Sequence, residues 1–275
     1  MRDYSIKSVR LYQHLERVYN ELRELGNKEG DPLQVDDLGG LDHLHYHGTQ
    51  AVDHAIKVTG INATTLVLEV GSGIGGPARH IAQQTGAKVM ALELQADQNT
   101  VATEITARCG LSSRISHVCG DVLTYDWQGK SFDVIVSWLT LYHIGDRQTL
   151  LQRCKDALRP GGYFYAEDFF TRQPFSDKEL EELSREMYAH YLPDYLSYQT
   201  DYSSAGFTSL SFEDLSDDWT QFTRSRLAAY LQNRPRHLRV HGESVVNNME
   251  LFYKSMARFF KSGKLGGVRV VARKV

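Results

Sequence analysis

Three acids close three short apolar runs: Glu69, Glu93 and Asp121. Glu69 ends Leu66-Val67-Leu68-Glu69-Val70, and Gly71, Ser72, Gly73 and Gly76 follow in a G-x-G-x-x-G spacing. Such a loop lets backbone N–H groups approach a ligand at the start of a helix. A carboxylate at the end of a buried strand is costly unless paired. It would also repel a pyrophosphate seated on the helix N-terminus, which disfavours a nicotinamide dinucleotide. A ligand with an ammonium and no phosphate suits Glu69 better, and S-adenosylmethionine (SAM) is one.

The next two acids fit the same ligand. Glu93 closes Lys88–Leu94 at roughly the 20-residue spacing expected of an acid that grips ribose hydroxyls. Asp121, in His117-Val118-Cys119-Gly120-Asp121-Val122, is placed to accept from an adenine amino group, or else serves only its own turn. Leu94 and Val122 flank these acids, while Ser137 and Trp138 close the run Phe132–Ser137. Trp138 would flank the adenine or the methyl pocket.

Chemistry is expected just beyond, in Ser137-Trp138-Leu139-Thr140-Leu141-Tyr142-His143-Ile144. His143 titrates near neutrality when unperturbed, which suits it to taking a proton from an ammonium or hydroxyl; otherwise it is structural. Tyr142 either packs or lines the acceptor pocket. Upstream, His43, His45 and His47 would share one face of an extended segment. That line is too long to close a tight metal site, so no metal is expected; a loop over the ligand or structural imidazoles, with Tyr46 among them, is the better reading.

The elements that hold these residues follow from periodicity. Val9, Leu11, Tyr12, Leu15, Val18, Tyr19, Leu22 and Leu25 predict one amphipathic helix over 5–25, its tyrosines either packing or facing substrate. A second helix is expected over 49–59. Strands at 66–70, 88–92, 115–119, 132–137 and 162–167 alternate with helices at 76–85, 96–109 and 146–158, which predicts a parallel doubly wound sheet. Beyond 170, Ser176 reads as a helix N-cap. Tyr188, Tyr191, Tyr195, Tyr198 and Tyr202 then suggest a tyrosine-rich cap, where aromatic faces could hold a cationic amine. A strand to Asp214, helices at 217–232 and 243–261 and a last strand over Gly267–Ala272 complete the chain.

Glu69-Val-Gly-Ser-Gly-Ile-Gly-Gly, Ala91-Leu-Glu-Leu, Gly120-Asp-Val, Phe132–Ser137 and Leu158-Arg-Pro-Gly-Gly together resemble class I SAM-dependent methyltransferases. The resemblance implies an α/β, Rossmann-like seven-stranded sheet ending in an antiparallel hairpin, with N-terminal helices and a helical cap. It places an N-terminal helical cap over residues 1–60 and the methyltransferase domain over 61–275, with a substrate-cap insertion at about 171–205. The segment after Ser137 is similar to that of phosphoethanolamine and sarcosine/dimethylglycine N-methyltransferases, which read Ser-x-Asp-Ala-x-Leu-His. Ser137 and His143 match, but Leu139 stands where the acid that orients the histidine would be. Asp168 matches an acid of that group, whereas 185–195 offers His190 in place of a phosphate-holding arginine. N-methylation of a small amine is the implied activity, with O- or C-methylation, or a silent SAM-binding subunit, as alternatives. The expected acceptor-side residues are Tyr19, Tyr46, Tyr142, Asp168, Arg185, Tyr188 and Tyr191; Arg172, Arg185, Arg239 or Lys261 are candidates to hold a carboxylate.

Composition bounds the rest. A formal charge of −3 over 275 residues gives no basic surface for nucleic acid. The N-terminus has no apolar signal core and no apolar run reaches membrane-spanning length. Three cysteines without C-x-x-C pairing predict reduced thiols in a cytoplasmic chain, a monomer or homodimer.

Overall fold

The computed structural model describes residues 6–275. Two 3-10 turns, Ile6–Ser8 and Arg10–Tyr12, precede helices α1 (Glu16–Glu24), α2 (Val35–Leu38) and α3 (Thr49–Thr59). The expected continuous helix over 5–25 is therefore broken before residue 16, and Ser5 lies outside the described residues. Residues 9 to 12 bend away so that Val9 and Leu11 bury against Val245 and Met249.

Alternation then builds the sheet: β1 (Leu66–Val70), α4 (Gly76–Thr85), β2 (Lys88–Glu93), α5 (Ala96–Arg108), β3 (Ile115–Cys119), β4 (Phe132–Trp138), α6 (Arg147–Ala157) and β5 (Leu158–Thr171). A 3-10 turn, Leu141–His143, lies between β4 and α6. After β5 come α7 (Asp177–Met187), α8 (Tyr195–Ser204), β6 (Thr208–Asp214), α9 (Ser216–Gln232), α10 (Arg234–His241), α11 (Glu243–Lys261) and β7 (Leu265–Arg273). The strand order is β3-β2-β1-β4-β5-β7-β6, with β7 antiparallel to both β5 and β6. This is the expected seven-stranded doubly wound sheet. Its last two strands pair as a hairpin would, yet three helices separate them in sequence.

Period-2 alternation divides the side chains between two faces. Leu68, Val70 and Ile135 join α6 and α8 on one face, and Val67, Val89, Val134 and Val136 join α3 and α4 on the other. Each such side chain contributes about 1.5–3 kcal/mol when fully buried. Local signals set the helix starts. Asp146 accepts from the Thr149 N–H at 3.0 Å, and Ser176 and Glu179 form a capping box before α7. Because β1 lies between β2 and β4, the sheet reverses direction of growth at β1/β4, and their carboxyl ends leave a crevice there.

Candidate active site

Glycine geometry opens the crevice. Gly71 has φ +72°, and a Cβ there would sit 2.2 Å from the Thr140 side chain, so the loops after β1 and β4 close on each other only because no side chain intervenes. A Cβ on Gly76 would meet the Asp42 carbonyl at 2.4 Å. That glycine makes room for the N-terminal segment rather than for helix–strand packing. Arg79, fully buried, ties the same region by donating to Asp42 Oδ2 at 2.9 Å and to the Ile74 carbonyl at 2.6 Å.

The crevice deepens into a cavity of about 370 Å³, within the range of small-molecule sites. Glu69, Gly71, Ser72, Gly73, Glu93 and Leu94 line one end. Glu93 accepts from the Gly73 N–H at 2.8 Å and the Gln95 N–H at 2.9 Å, linking the loops after β1 and β2. Asp121 and Val122 also line it, and Asp121 Oδ1 accepts from the Leu123 N–H at 2.9 Å, so this acid holds its turn as well. Glu69 Oε2 and Ser72 Oγ are buried without partners. Burial pushes the Glu69 carboxyl well above the ordinary carboxylate range, with Arg79 pulling it back.

Aromatic side chains from distant segments line the other end. Trp138 and His45 stack there with ring centroids 5.5 Å apart. Tyr12, Tyr46, Tyr142, Tyr188, Phe169 and Phe252 also face the cavity. His143 lies among them, its ring 3.9 Å from that of Tyr142. Its Nδ1 is 3.0 Å from the Tyr188 carbonyl, which can only accept, so Nδ1 carries the proton. Nε2 then accepts from the Tyr12 hydroxyl at 3.1 Å. Where the sequence resemblance leads one to look for an acid at Leu139, a backbone carbonyl on the far side orients the ring instead. Leu139 at φ 51° and Tyr188 at φ 52°, both lining the cavity, adopt left-handed backbone at a cost of order 1–3 kcal/mol each. Burial pushes the His143 imidazole down to about 4, so it is neutral at physiological pH and too weak a base to take a proton from an ammonium.

Five expected site residues do not line the cavity. Tyr19 donates to Glu104 at 2.6 Å on the outer side of α1. Ser137 staples β4 to β1 by donating to the Val70 carbonyl at 2.8 Å. Asp168, fully buried, accepts from the Tyr142 N–H (3.2 Å), Arg147 (3.2 Å) and Tyr198 (2.9 Å) behind the cavity wall. Tyr191 donates to Asp201 at 2.8 Å and lies against Arg147, and Arg185 bonds Glu186 at 3.1 Å. The tyrosine-rich cap turns its stripe toward the sheet: Tyr198 and Tyr202 are buried in the core on β5's face, and only Tyr188 of that series reaches the cavity. The three histidines do not form a strand either. His43 and His45 are buried, while His47 meets Asp218 at 2.6 Å.

Residues 67–162 match the family profile described as a methyltransferase domain. The fold of the whole chain agrees: phosphoethanolamine N-methyltransferase 2 of Haemonchus contortus, solved with phosphomonomethylethanolamine and S-adenosylhomocysteine, superposes with a TM-score of 0.81 at 19% identity, over 100% of this chain and 61% of that one. Residues 67–162 thus resemble a methyltransferase domain, and the whole chain has the class I methyltransferase fold. Sequence relatives include sterol 24-C-methyltransferase erg6 of Aspergillus fumigatus, 32% identical over 64% of this chain and 46% of that protein. Glycine/sarcosine/dimethylglycine N-methyltransferase of Actinopolyspora halophila is 28% identical over 65% of this chain and 31% of that protein. The chain thus spans less than half the length of these curated relatives.

The lining fits the SAM that the sequence leads one to expect. A buried carboxylate with an unpartnered oxygen meets the need of an ammonium, and Glu93 has the position of a ribose acceptor. Leu94, 53% exposed at the cavity edge, offers apolar surface for a purine face. Sequence reasoning missed Thr140 and Arg226 as lining residues and left Tyr12 open between packing and facing substrate. No helix among the described residues is long and apolar enough to cross a membrane.

Proposed function

We propose that this chain is a SAM-dependent methyltransferase that methylates the nitrogen of a small amine. The observation that carries the reading is the aromatic end of the cavity, where a neutral histidine and a tyrosine hydroxyl converge beside the cofactor-binding edge. Glu69, Ser72, Glu93 and Asp121 would hold SAM, which supplies an electrophilic methyl group when bound. The aromatic walls exclude water; the acceptor would bind as the neutral amine, and each aromatic face would favour the positive charge that its nitrogen gains with the methyl group by roughly 0.5–2 kcal/mol.

Alignment of the acceptor falls to Tyr12. Tyr12 donates its hydroxyl proton to His143 Nε2. The Tyr12 oxygen can then accept an N–H from the acceptor, which would aim the nitrogen lone pair along the cavity. His143 acts through Tyr12 as a positioning residue, fixed by the Tyr188 carbonyl. Holding a nucleophile in line accounts for much of the acceleration available to a methyl transfer, since the methyl donor is already activated.

Likeness to a sterol C-methyltransferase favours a second reading, transfer to carbon. The test is methyl transfer from labelled-methyl SAM into paired amines, phenols, carboxylates and alkenes, resolved by mass spectrometry. Mass gain on nitrogen is expected. Gain only on carbon or oxygen would replace the amine reading, and absence of SAM or S-adenosylhomocysteine (SAH) binding would end the methyltransferase reading.

A further inference from the structure

One cation lines the aromatic end of the cavity, and it has no acid partner. Arg226, on α9, places its guanidinium over the Tyr253 ring at 5.0 Å and the Phe222 ring at 5.8 Å. No carboxylate pairs with it among the described residues. It is also the sole lysine or arginine on the cavity wall among them. The acids that line the cavity, Asp42, Glu69, Glu93 and Asp121, belong to the cofactor-binding loops and the segment packed on them. Nearby, Arg17 donates to the carbonyls of Leu11 and His14, both at 2.9 Å, and Arg226's charge opposes it. Two guanidinium groups thus share a region whose arginine on the cavity wall lacks a counter-charge.

A second observation is independent of charge. The Tyr46 hydroxyl is buried without a hydrogen-bond partner, and Tyr46 lines the same part of the cavity. The Phe222 ring touches both groups, 5.0 Å from the Tyr46 ring and 5.8 Å from the Arg226 guanidinium. An orphaned buried donor costs about 1–3 kcal/mol, so a ligand atom that accepts from it is the simple way to satisfy the site.

We propose that Arg226 and Tyr46 form an anion subsite that binds a carboxylate on the methyl acceptor. This deepens the amine reading above and rests on it: the substrate would be an amino acid or a longer amino-carboxylic acid, nitrogen at Tyr12 and carboxylate at Arg226. One guanidinium and one hydroxyl match a single negative charge. A phosphate dianion would keep a charge unpaired in an aromatic wall, so a carboxylate fits better. None of Arg172, Arg185, Arg239 and Lys261 lines the cavity, and Arg239 forks onto Glu24 at 2.6 and 2.9 Å.

The test uses the full chain saturated with SAH, with binding read by calorimetry. Probes are N-methyl amino acids from two carbons in length to an aromatic ring, each paired with its amide, together with phosphocholine and inorganic phosphate. At least one carboxylate is expected to bind 10-fold or more tightly than its amide. R226Q should remove that preference and R226K retain part of it. Y46F should weaken the carboxylate several-fold, with SAH affinity within 3-fold of wild type in all three variants. The thermal midpoint of each free variant reports whether it is folded. No preference for any carboxylate in the wild-type chain, or a preference for the phosphates, would overturn the proposal. So would an R226Q chain that loses SAH affinity as steeply as acceptor affinity, because the anion bound would then be the cofactor's own carboxylate. Failure of the wild-type chain to bind SAH would instead strike the methyltransferase reading itself.

Discussion

Glu69→Gln keeps the shape of the side chain and removes the charge that an ammonium would meet. In the free chain the carboxyl is buried, Oε2 has no partner, and burial holds its pKa well above the ordinary 4.5. An ammonium within hydrogen-bond distance favours the ionised form and lowers that pKa. Binding should therefore expel a proton from Glu69 at pH values between its lowered pKa in the complex and its higher free-state pKa. Through that window, whose upper end lies well above 4.5, cofactor affinity rises as pH rises and levels off once the free carboxyl is ionised. Hydrogen bonds to charged groups contribute about 1.5–3 kcal/mol, which makes Glu69→Gln about 10- to 150-fold weaker for SAH on the plateau. The difference should shrink toward low pH, where wild-type Glu69 must first lose its proton. Calorimetry of SAH binding between pH 5.5 and 7.5, in buffers of different ionisation enthalpy, reads both quantities. Wild-type heats should depend on the buffer and those of the variant should not. Equal affinities across that range, with wild-type heats independent of buffer, would refute the pairing of Glu69 with the cofactor ammonium.

Tyr12→Phe and His143→Gln should each lower kcat by about 10- to 100-fold with SAH affinity little changed. Because the two act as one unit, the double variant should be no slower than the worse single one; multiplicative losses would show that they act independently. Gly71→Ala forces a Cβ to within 2.2 Å of Thr140 at φ +72°, so SAH binding should fall more than 10-fold, and normal binding would show that the loop is not held as described. Asp168→Asn breaks a fully buried ion pair with Arg147 at a cost of about 3–5 kcal/mol, so the thermal midpoint should drop on the order of 10 °C. An unchanged midpoint would mean that Asp168 does not hold Arg147 and Tyr198 in place.

The sequence by itself determined the sheet and one half of the site. Alternating apolar runs fixed strands and helices because burial selects period 2 or 3.6 locally, and the carboxyl-end acids Glu69, Glu93 and Asp121 follow from where a parallel sheet opens. Both signals lie within a few residues of the feature they specify. The acceptor end was legible only in part: Tyr46, Trp138, Tyr142, His143 and Tyr188 were among the expected residues, but Arg226, Phe252 and the meeting of these segments were decided by tertiary structure. Its walls come from residues 12, 45, 46, 138, 142, 188, 226 and 252, which no local spacing relates. Tyr198 and Tyr202 looked like cap residues, yet α8 turns them onto β5 because the sheet face there needs covering. Tyr12 left its expected helical stripe because the chain bends before α1, carrying its hydroxyl to His143. Arg226 has Phe222 four residues before it on α9, but its place on the cavity wall, with Tyr253 of α11 against it and no carboxylate among the described residues paired with it, exists only in the folded chain. Periodicity reports which face of an element is buried, but what that face is buried against is set by contacts between segments far apart in the chain.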